Sequence, residues 1–140
     1  MELSPSPLSV ANLRPNLTAE LMASTGLDEA SLDRLVRIFY ARVRSDELLG
    51  PVFAATVADW EPHLGRMVVF WSSVALMTGR YHGRPMRKHM ALAIGPEHFR
   101  RWLDLFRETA EELLPAAGAA YVVGKARQIG AAMQARRALA

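Results

Sequence analysis

Residues 60–89 read WEPHLGRMVVFWSSVALMTGRYHGRPMRKH, and this stretch determines the fold that we predict for the whole chain. Its first half predicts an amphipathic helix, because five residues recur at helical spacing on one face. These residues are His63, Met67, Phe70, Val74 and Met77. A histidine thus begins an otherwise apolar face, and Gly79 is expected to close the helix. A second histidine, His89, follows on a short helical piece that Pro85 is expected to begin.

Apolar residues recur every three to four positions in further segments on both sides of this stretch. Asp28 is expected to cap a helix of about 18 residues, and Pro96 to lie in the first turn of another. Residues 117–139 are expected to form the last helix. The inward faces of these three helices include Tyr40, Phe99, Trp102 and Met133. No alternating strand pattern is visible, so we predict an all-α protein with about five main helices.

The chain is expected to contain one folded domain. Residues 1–27 include three prolines and several serines, which predicts a flexible leader with at most a short helix over 17–24. Residues 28–140 are expected to form the domain, a normal size for a single core. Residues 48–51 are expected to end one helix and turn the chain, with Phe53 as an apolar plug after the turn.

The composition excludes several classes of function. The chain has no cysteine, which rules out disulfides, thiolate catalysis and zinc–thiolate sites. No apolar run reaches the roughly 18–20 residues of a membrane span, and no signal-peptide pattern is present, so we expect a cytoplasmic protein with no membrane contact. The net charge of +3 comes from 17 basic and 14 acidic residues that are interspersed, which argues against nucleic-acid binding.

The residues alone do not name a cofactor. Of the four histidines, His82 is expected in an exposed loop and His98 in a first helical turn, as a surface or packing residue. A single His, Tyr or Trp on an apolar face is more often a packing residue than a ligand. The pattern therefore predicts a helical domain with some polar groups directed into an apolar interior, which is typical of a small-molecule or cofactor pocket.

Six segments, taken together, resemble the truncated haemoglobins of the third group, from residue 28 to the last helix. They are IFYARVR (38–44), LGPVF (49–53), DWEPH (59–63), FWSSV (70–74), TGRYHGRPMRKH (78–89) and PEHFRRWLDLF (96–106). The segments occur in the order and with the spacing of that family. The resemblance implies a truncated globin fold, a two-over-two helical sandwich around a b-type haem that contains iron.

The resemblance also implies a role for individual residues. His89 matches the proximal ligand of the iron. Tyr40 and Trp102 match hydrogen-bond donors in the distal ligand pocket, and His63 matches the distal-helix histidine, which we interpret as a gate. The residues that we expect around the haem are Phe53, Arg66, Met67, Phe70, Trp71, Met86, His89, Phe99 and Met133. Arg66 is placed to reach a haem propionate.

Three functions follow, from different classes. The resemblance implies a haem protein that reversibly binds oxygen and other small diatomic ligands such as nitric oxide. The same scaffold could support a haem enzyme, a nitric oxide dioxygenase or a peroxidase-like protein, which would need a reductase partner. A cofactor-free helical interaction module is the remaining alternative, and a colourless purified protein would favour it. The sequence identifies neither a reductase nor an oligomeric state.

We predict that His89→Leu loses stable haem binding, because leucine cannot ligate iron and His89 is the residue that matches the proximal ligand. The measurement is the haem content and axial-ligand spectrum of the purified variant. His82→Leu is the matched control and should keep the parent spectrum. Parent haem content with unchanged axial ligation in His89→Leu would show that the assignment is wrong.

Overall fold

The structure is a computed structural model that describes residues 8–81 and 94–139, with side chains from residue 15 to 81 and from 94 to 135. The described residues form six helices and no strand. These are α1 (Leu8–Thr25), α2 (Glu29–Ser45), α3 (Leu49–Thr56), α4 (Trp60–Leu76), α5 (Pro96–Leu113) and α6 (Ala116–Leu139). The all-α prediction is confirmed, with one helix more than the five main ones expected. None of these helices is both long and apolar enough to cross a membrane.

Helix α2 begins where the sequence predicts. The carboxylate of Asp28 accepts a hydrogen bond from the Ser31 amide at 2.7 Å, and the Asp28 amide donates to the Ser31 hydroxyl at 3.0 Å. This reciprocal pair satisfies two groups at the start of the helix. The buried face of α2 consists of Leu32, Leu35, Val36, Phe39, Tyr40 and Val43. One side of α2 therefore lies entirely in the core.

The helices pack as two stacked pairs. Helix α2 lies against α4, and α5 lies against α6. The pairs meet where α2 contacts α5 and where α4 contacts α6. This is the two-over-two arrangement that the family resemblance implies. Helix α3 packs against α2 and α5, and α1 packs against α4 and α6.

The end of α4 differs from the prediction. The helix ends at Leu76, and Met77 takes a left-handed conformation with φ of 56°, so Gly79 does not close it. The Leu76 carbonyl, at the end of the helix, accepts a hydrogen bond from the Thr18 hydroxyl at 2.6 Å. Met77 is 48% exposed, so the prediction that it belongs to the buried face of α4 is wrong.

Helix α1 occupies residues that the sequence analysis expected to be a flexible leader. The structure has a helix over Leu8–Thr25, longer than the short one expected over 17–24, while residues 1–7 lie outside the described part of the chain. Thr18 bonds to α4, and Thr25 and Leu27 are 6% and 1% exposed. Helix α1 contains Pro15 and has no clear apolar face, so its full length could not be predicted from periodicity. The domain boundary at residue 28 stays a prediction.

Helix α3 forms where the sequence predicts a turn followed by an apolar plug. The carboxylate of Asp46 accepts hydrogen bonds from the amides of Leu48 and Leu49, at 3.1 and 3.0 Å. Its other oxygen accepts from Nε of Arg101 on α5 at 2.7 Å, and the Asp46 side chain is only 9% exposed. This carboxylate satisfies amide groups at the start of α3 and ties it to α5. As a result, Phe53 on α3 lies in the core.

We predict that Gly118→Ala, in the first turn of α6, lowers the free energy of unfolding. A Cβ there would lie 2.7 Å from the Thr25 carbonyl oxygen and 2.9 Å from Cδ2 of Leu27, so α1 and α6 would have to move apart. Crowding of this kind costs about 1–3 kcal/mol. Urea denaturation measures the change.

The matched control is Gly124→Ala in the same helix, where a Cβ would meet nothing within 4 Å. Alanine is the better helix former, so this variant should gain about 0.5–1 kcal/mol. Equal unfolding midpoints for the two variants would contradict the close approach of α1 and α6 at Gly118.

Candidate functional site

A cavity of about 560 Å³, including its open mouth, lies between the two helix pairs. It is lined by Tyr40, Leu49, Phe53, Met67, Phe70, Trp71, Ile94, His98, Phe99, Trp102, Ile129, Gly130 and Met133. Apolar side chains make up nearly all of this wall. An apolar wall with a few polar groups is typical of a site for a small molecule or cofactor.

The structure brings most of the predicted site residues together at this cavity. Those in its wall are Tyr40, Phe53, Met67, Phe70, Trp71, Phe99, Trp102 and Met133. Two others, His63 and Arg66, are not among the residues of its wall. The predicted axial ligand His89 and the predicted haem contact Met86 lie outside the described residues, so their roles stay predictions.

Five wall residues were not predicted from the sequence. They are Leu49, Ile94, His98, Ile129 and Gly130. Ile129 lies one helical turn before Met133, so the inward face of α6 could have indicated it. His98, expected to be a surface or packing residue, has a side chain only 16% exposed. Its Nδ1 accepts a hydrogen bond from the Gly95 amide at 2.9 Å, so the hydrogen of the neutral ring is on Nε2.

A hydrogen-bonded pair provides the polar part of the cavity wall. Tyr40 on α2 is 2% exposed, and its hydroxyl is hydrogen-bonded to the side chain of Trp102 on α5. An indole N–H can only donate, so the tyrosine oxygen is the acceptor. The Tyr40 hydroxyl therefore keeps its own proton for a group in the cavity. Phe39 packs edge-on against both rings, with centroid distances of 4.9 and 5.6 Å, which restricts their movement.

Burial keeps the Tyr40 hydroxyl protonated. It raises the pKa of Tyr40 well above the ordinary tyrosine value, and the hydrogen bond from Trp102 lowers the pKa by less. The phenolate would be poorly solvated in this apolar wall, whereas the neutral hydroxyl needs only its hydrogen-bond partners. At neutral pH, Tyr40 is thus a hydrogen-bond donor and not an anion.

Two further rings, those of His63 and Trp60, contact Tyr40 beside this pair. The half-buried ring of His63 stands edge-on to Tyr40, with centroids 5.5 Å apart and an interplanar angle of 84°. It also stands edge-on to Trp60, at 5.4 Å and 89°. The Trp60 ring is itself 5.9 Å from Tyr40, and the guanidinium carbon of Arg44 lies 4.7 Å from its centroid. His63 is therefore next to the polar part of the cavity wall.

A buried hydroxyl near the cavity, that of Tyr81, bears on whether the site can hold a haem. The Tyr81 hydroxyl oxygen is buried and makes no hydrogen bond within the described residues. Its ring packs against Phe70 of the cavity wall, with centroids 5.1 Å apart. Burial raises the pKa of Tyr81, and the positive charge of Arg66 partly offsets this effect. A carboxylate at this position would be bound by both side chains. Apolar walls and a carboxylate-binding edge together fit a haem.

Comparisons with known proteins agree with this geometry. Residues 21–120 match the bacterial-like globin family. The group 3 truncated haemoglobin ctb of Campylobacter jejuni is 36% identical over 88 residues, which cover 59% of this chain and 69% of the relative. The crystal structure of a group III truncated haemoglobin from Campylobacter jejuni superposes with a TM-score of 0.72 at 31% identity, covering 79% of this chain and 91% of that one. The chain therefore belongs to the bacterial-like globin family, and among its members to the group III truncated haemoglobins.

We predict that Tyr40→Phe reduces the loss of stability at alkaline pH. In the unfolded chain Tyr40 ionises near pH ~10, whereas burial keeps it protonated in the folded chain at that pH. The unfolded state then binds fewer protons, so the free energy of unfolding falls as the pH rises above this value. Phenylalanine has no such proton, and urea denaturation at pH 8, 10 and 11 should show a shallower decline. An unchanged decline would contradict a neutral, buried Tyr40.

Proposed function

We propose that this chain holds a b-type haem in the cavity and reversibly binds oxygen and other small diatomic ligands at the haem iron. The observation that carries the proposal is the Tyr40–Trp102 pair, a fixed hydrogen-bond donor in an otherwise apolar wall. Membership of the group III truncated haemoglobins supports it. Oxygen is a small ligand that gains from one directed donor in a dry cavity.

The haem would be held by groups of three kinds. Apolar side chains of the wall, such as Phe53 and Phe99, would cover its faces and keep water away. Arg66 and the Tyr81 hydroxyl would bind a propionate carboxylate at the edge. The axial ligand would be the His89 imidazole, as proposed from the RPMRKH segment (84–89).

The iron of a bound haem would supply the atom to which the diatomic ligand attaches. The Tyr40 hydroxyl would donate to the ligand, and Trp102 would hold that hydroxyl in position. That hydrogen bond to the ligand contributes about 1–1.5 kcal/mol, so it would slow ligand release about five- to ten-fold. Slow release favours retention of oxygen or reaction with it over rapid delivery.

A second candidate function, an enzyme on the same scaffold, draws on a further contact. The imidazole of His63 lies edge-on to Tyr40, which places a group able to carry a proton beside the hydrogen-bond donor. Such a pair could polarise a peroxide or oxygen bond, as nitric oxide dioxygenation or peroxidase-like chemistry requires. A reductase would then be the partner. Continuous nitric oxide consumption with a reductant, beyond one equivalent per haem, would favour this enzyme over a simple binding protein.

We predict that Tyr40→Phe speeds oxygen dissociation about five- to ten-fold, because the loss of one donor costs about 1–1.5 kcal/mol while the ring is kept. Trp102→Phe should act in the same direction, since it removes the group that positions the hydroxyl. The double variant should show less than the product of the two effects, because the residues act as a unit. Stopped-flow spectroscopy of the oxygenated protein measures each rate.

Tyr121→Phe is the matched control. Its hydroxyl donates to the Ala75 carbonyl at 2.9 Å, and Tyr121 does not line the cavity, so this variant should release oxygen at the parent rate. Rates within two-fold of the parent for both Tyr40→Phe and Trp102→Phe would contradict the donor role. A purified parent chain that shows no Soret band after reconstitution with haem would contradict the proposed function as a whole.

A further inference from the structure

We infer that Trp60 is a positioning residue that holds the His63 ring against Tyr40 and so sets the rate at which ligands reach the cavity. The inference rests on the proposed function, because it concerns access to the haem site. It assigns a role to Trp60 and Arg44, neither of which lines the cavity. Three observations support it: the contacts of His63, the exposure of the residues around it, and the anchoring of the start of α4.

The contacts place His63 between two rings that differ in burial. The Tyr40 side chain is restrained, since it is buried, hydrogen-bonded to Trp102 and packed against Phe39. Trp60 is the first residue of α4 and is only half-buried. Because His63 is edge-on to both rings, it cannot turn away from Tyr40 without breaking or displacing its contact with Trp60. Of these two rings, Trp60 is thus the less buried one, and the His63 ring contacts it directly.

Exposure increases outward along this set of residues. Tyr40 is buried in the cavity wall, His63 and Trp60 are half-buried, and Arg44 is exposed. The Arg44 guanidinium lies over the Trp60 ring with its carbon 4.7 Å from the centroid, within the range of a cation–π contact. Arg44 therefore covers Trp60 and restrains its ring.

The start of α4 is anchored separately from this set of rings. Glu61, the residue after Trp60, forms an ion pair with Arg37 of α2 at 3.0 Å, and Arg37 also pairs with Asp33 at 2.6 Å. The Arg37–Glu61 pair is an exposed contact between α2 and the first turn of α4. Movement of His63 and Trp60 can then occur by side-chain rotation, without displacement of the helix.

Association of carbon monoxide with the reduced haem protein, followed by flash photolysis, tests the inference. Trp60→Leu removes the ring that holds His63, and loss of an edge-to-face contact should speed association about three- to ten-fold. Trp60→Phe keeps an aromatic ring at this position and should stay within about two-fold of the parent. In a His63→Leu background, Trp60→Leu should have no further effect, because the residue that it positions is already absent.

Two results would overturn the inference. Equal acceleration by Trp60→Leu with and without His63 would show that Trp60 obstructs the path by itself. Equal rates for Trp60→Phe and Trp60→Leu would show that the aromatic contact does not matter. If Trp60→Leu does not fold, Arg44→Met, at an exposed position, replaces it and should also speed association only when His63 is present.

This experiment separates the inference from the proposed function. A parent chain that forms no carbon monoxide complex would contradict the proposed function. A parent chain with a normal complex, together with Trp60 and Arg44 variants that match its association rate, would contradict only the role of Trp60. The Soret band and far-ultraviolet circular dichroism of each variant show whether its haem site and helices are intact.

Discussion

The hydrogen bond between Tyr40 and Trp102 is a buried constraint that helices α2 and α5 share. It joins α2 to α5, and so joins one helix pair to the other. A buried hydroxyl or indole N–H without a partner is costly, so the two helices must keep the relative position that allows this contact. Phe39 packs against both rings and against Phe106, which fixes the spacing between the same helices. The cavity opens beside this contact.

Sequence patterns correctly predicted the helices whose apolar face and first residue are both evident in their own sequence. Helices α2 and α5 have apolar faces of helical period and clear first residues, so Asp28 and Pro96 marked their starts correctly. Helices α1 and α3 depend on partners far along the chain, which a local pattern cannot contain. Thr18 bonds to the end of α4, and Asp46 reaches a guanidinium on α5.

The site was predictable where a residue lies on an inward face and matches a family segment. Tyr40, Phe70 and Trp102 are of this kind. A periodic pattern shows that a side chain points inward, but not whether it meets another side chain or an open cavity. Leu49 and Ile94 lie at or near chain turns, and they line the cavity only because of how distant helices are placed. No pattern around either residue carries that information.

Asp46 makes one face of the cavity sensitive to acid. Burial raises the pKa of this carboxyl, but the hydrogen bonds from Leu49 and Arg101, with the charge of Arg101, outweigh burial and leave the pKa below its ordinary value. The stabilisation is complete at neutral pH and is lost as the pH falls through that lowered pKa. Helix α3 would then lose its bond to α5, and with it the support for Phe53. Acid should thus loosen the cavity wall beside α3 before it affects the apolar contacts elsewhere.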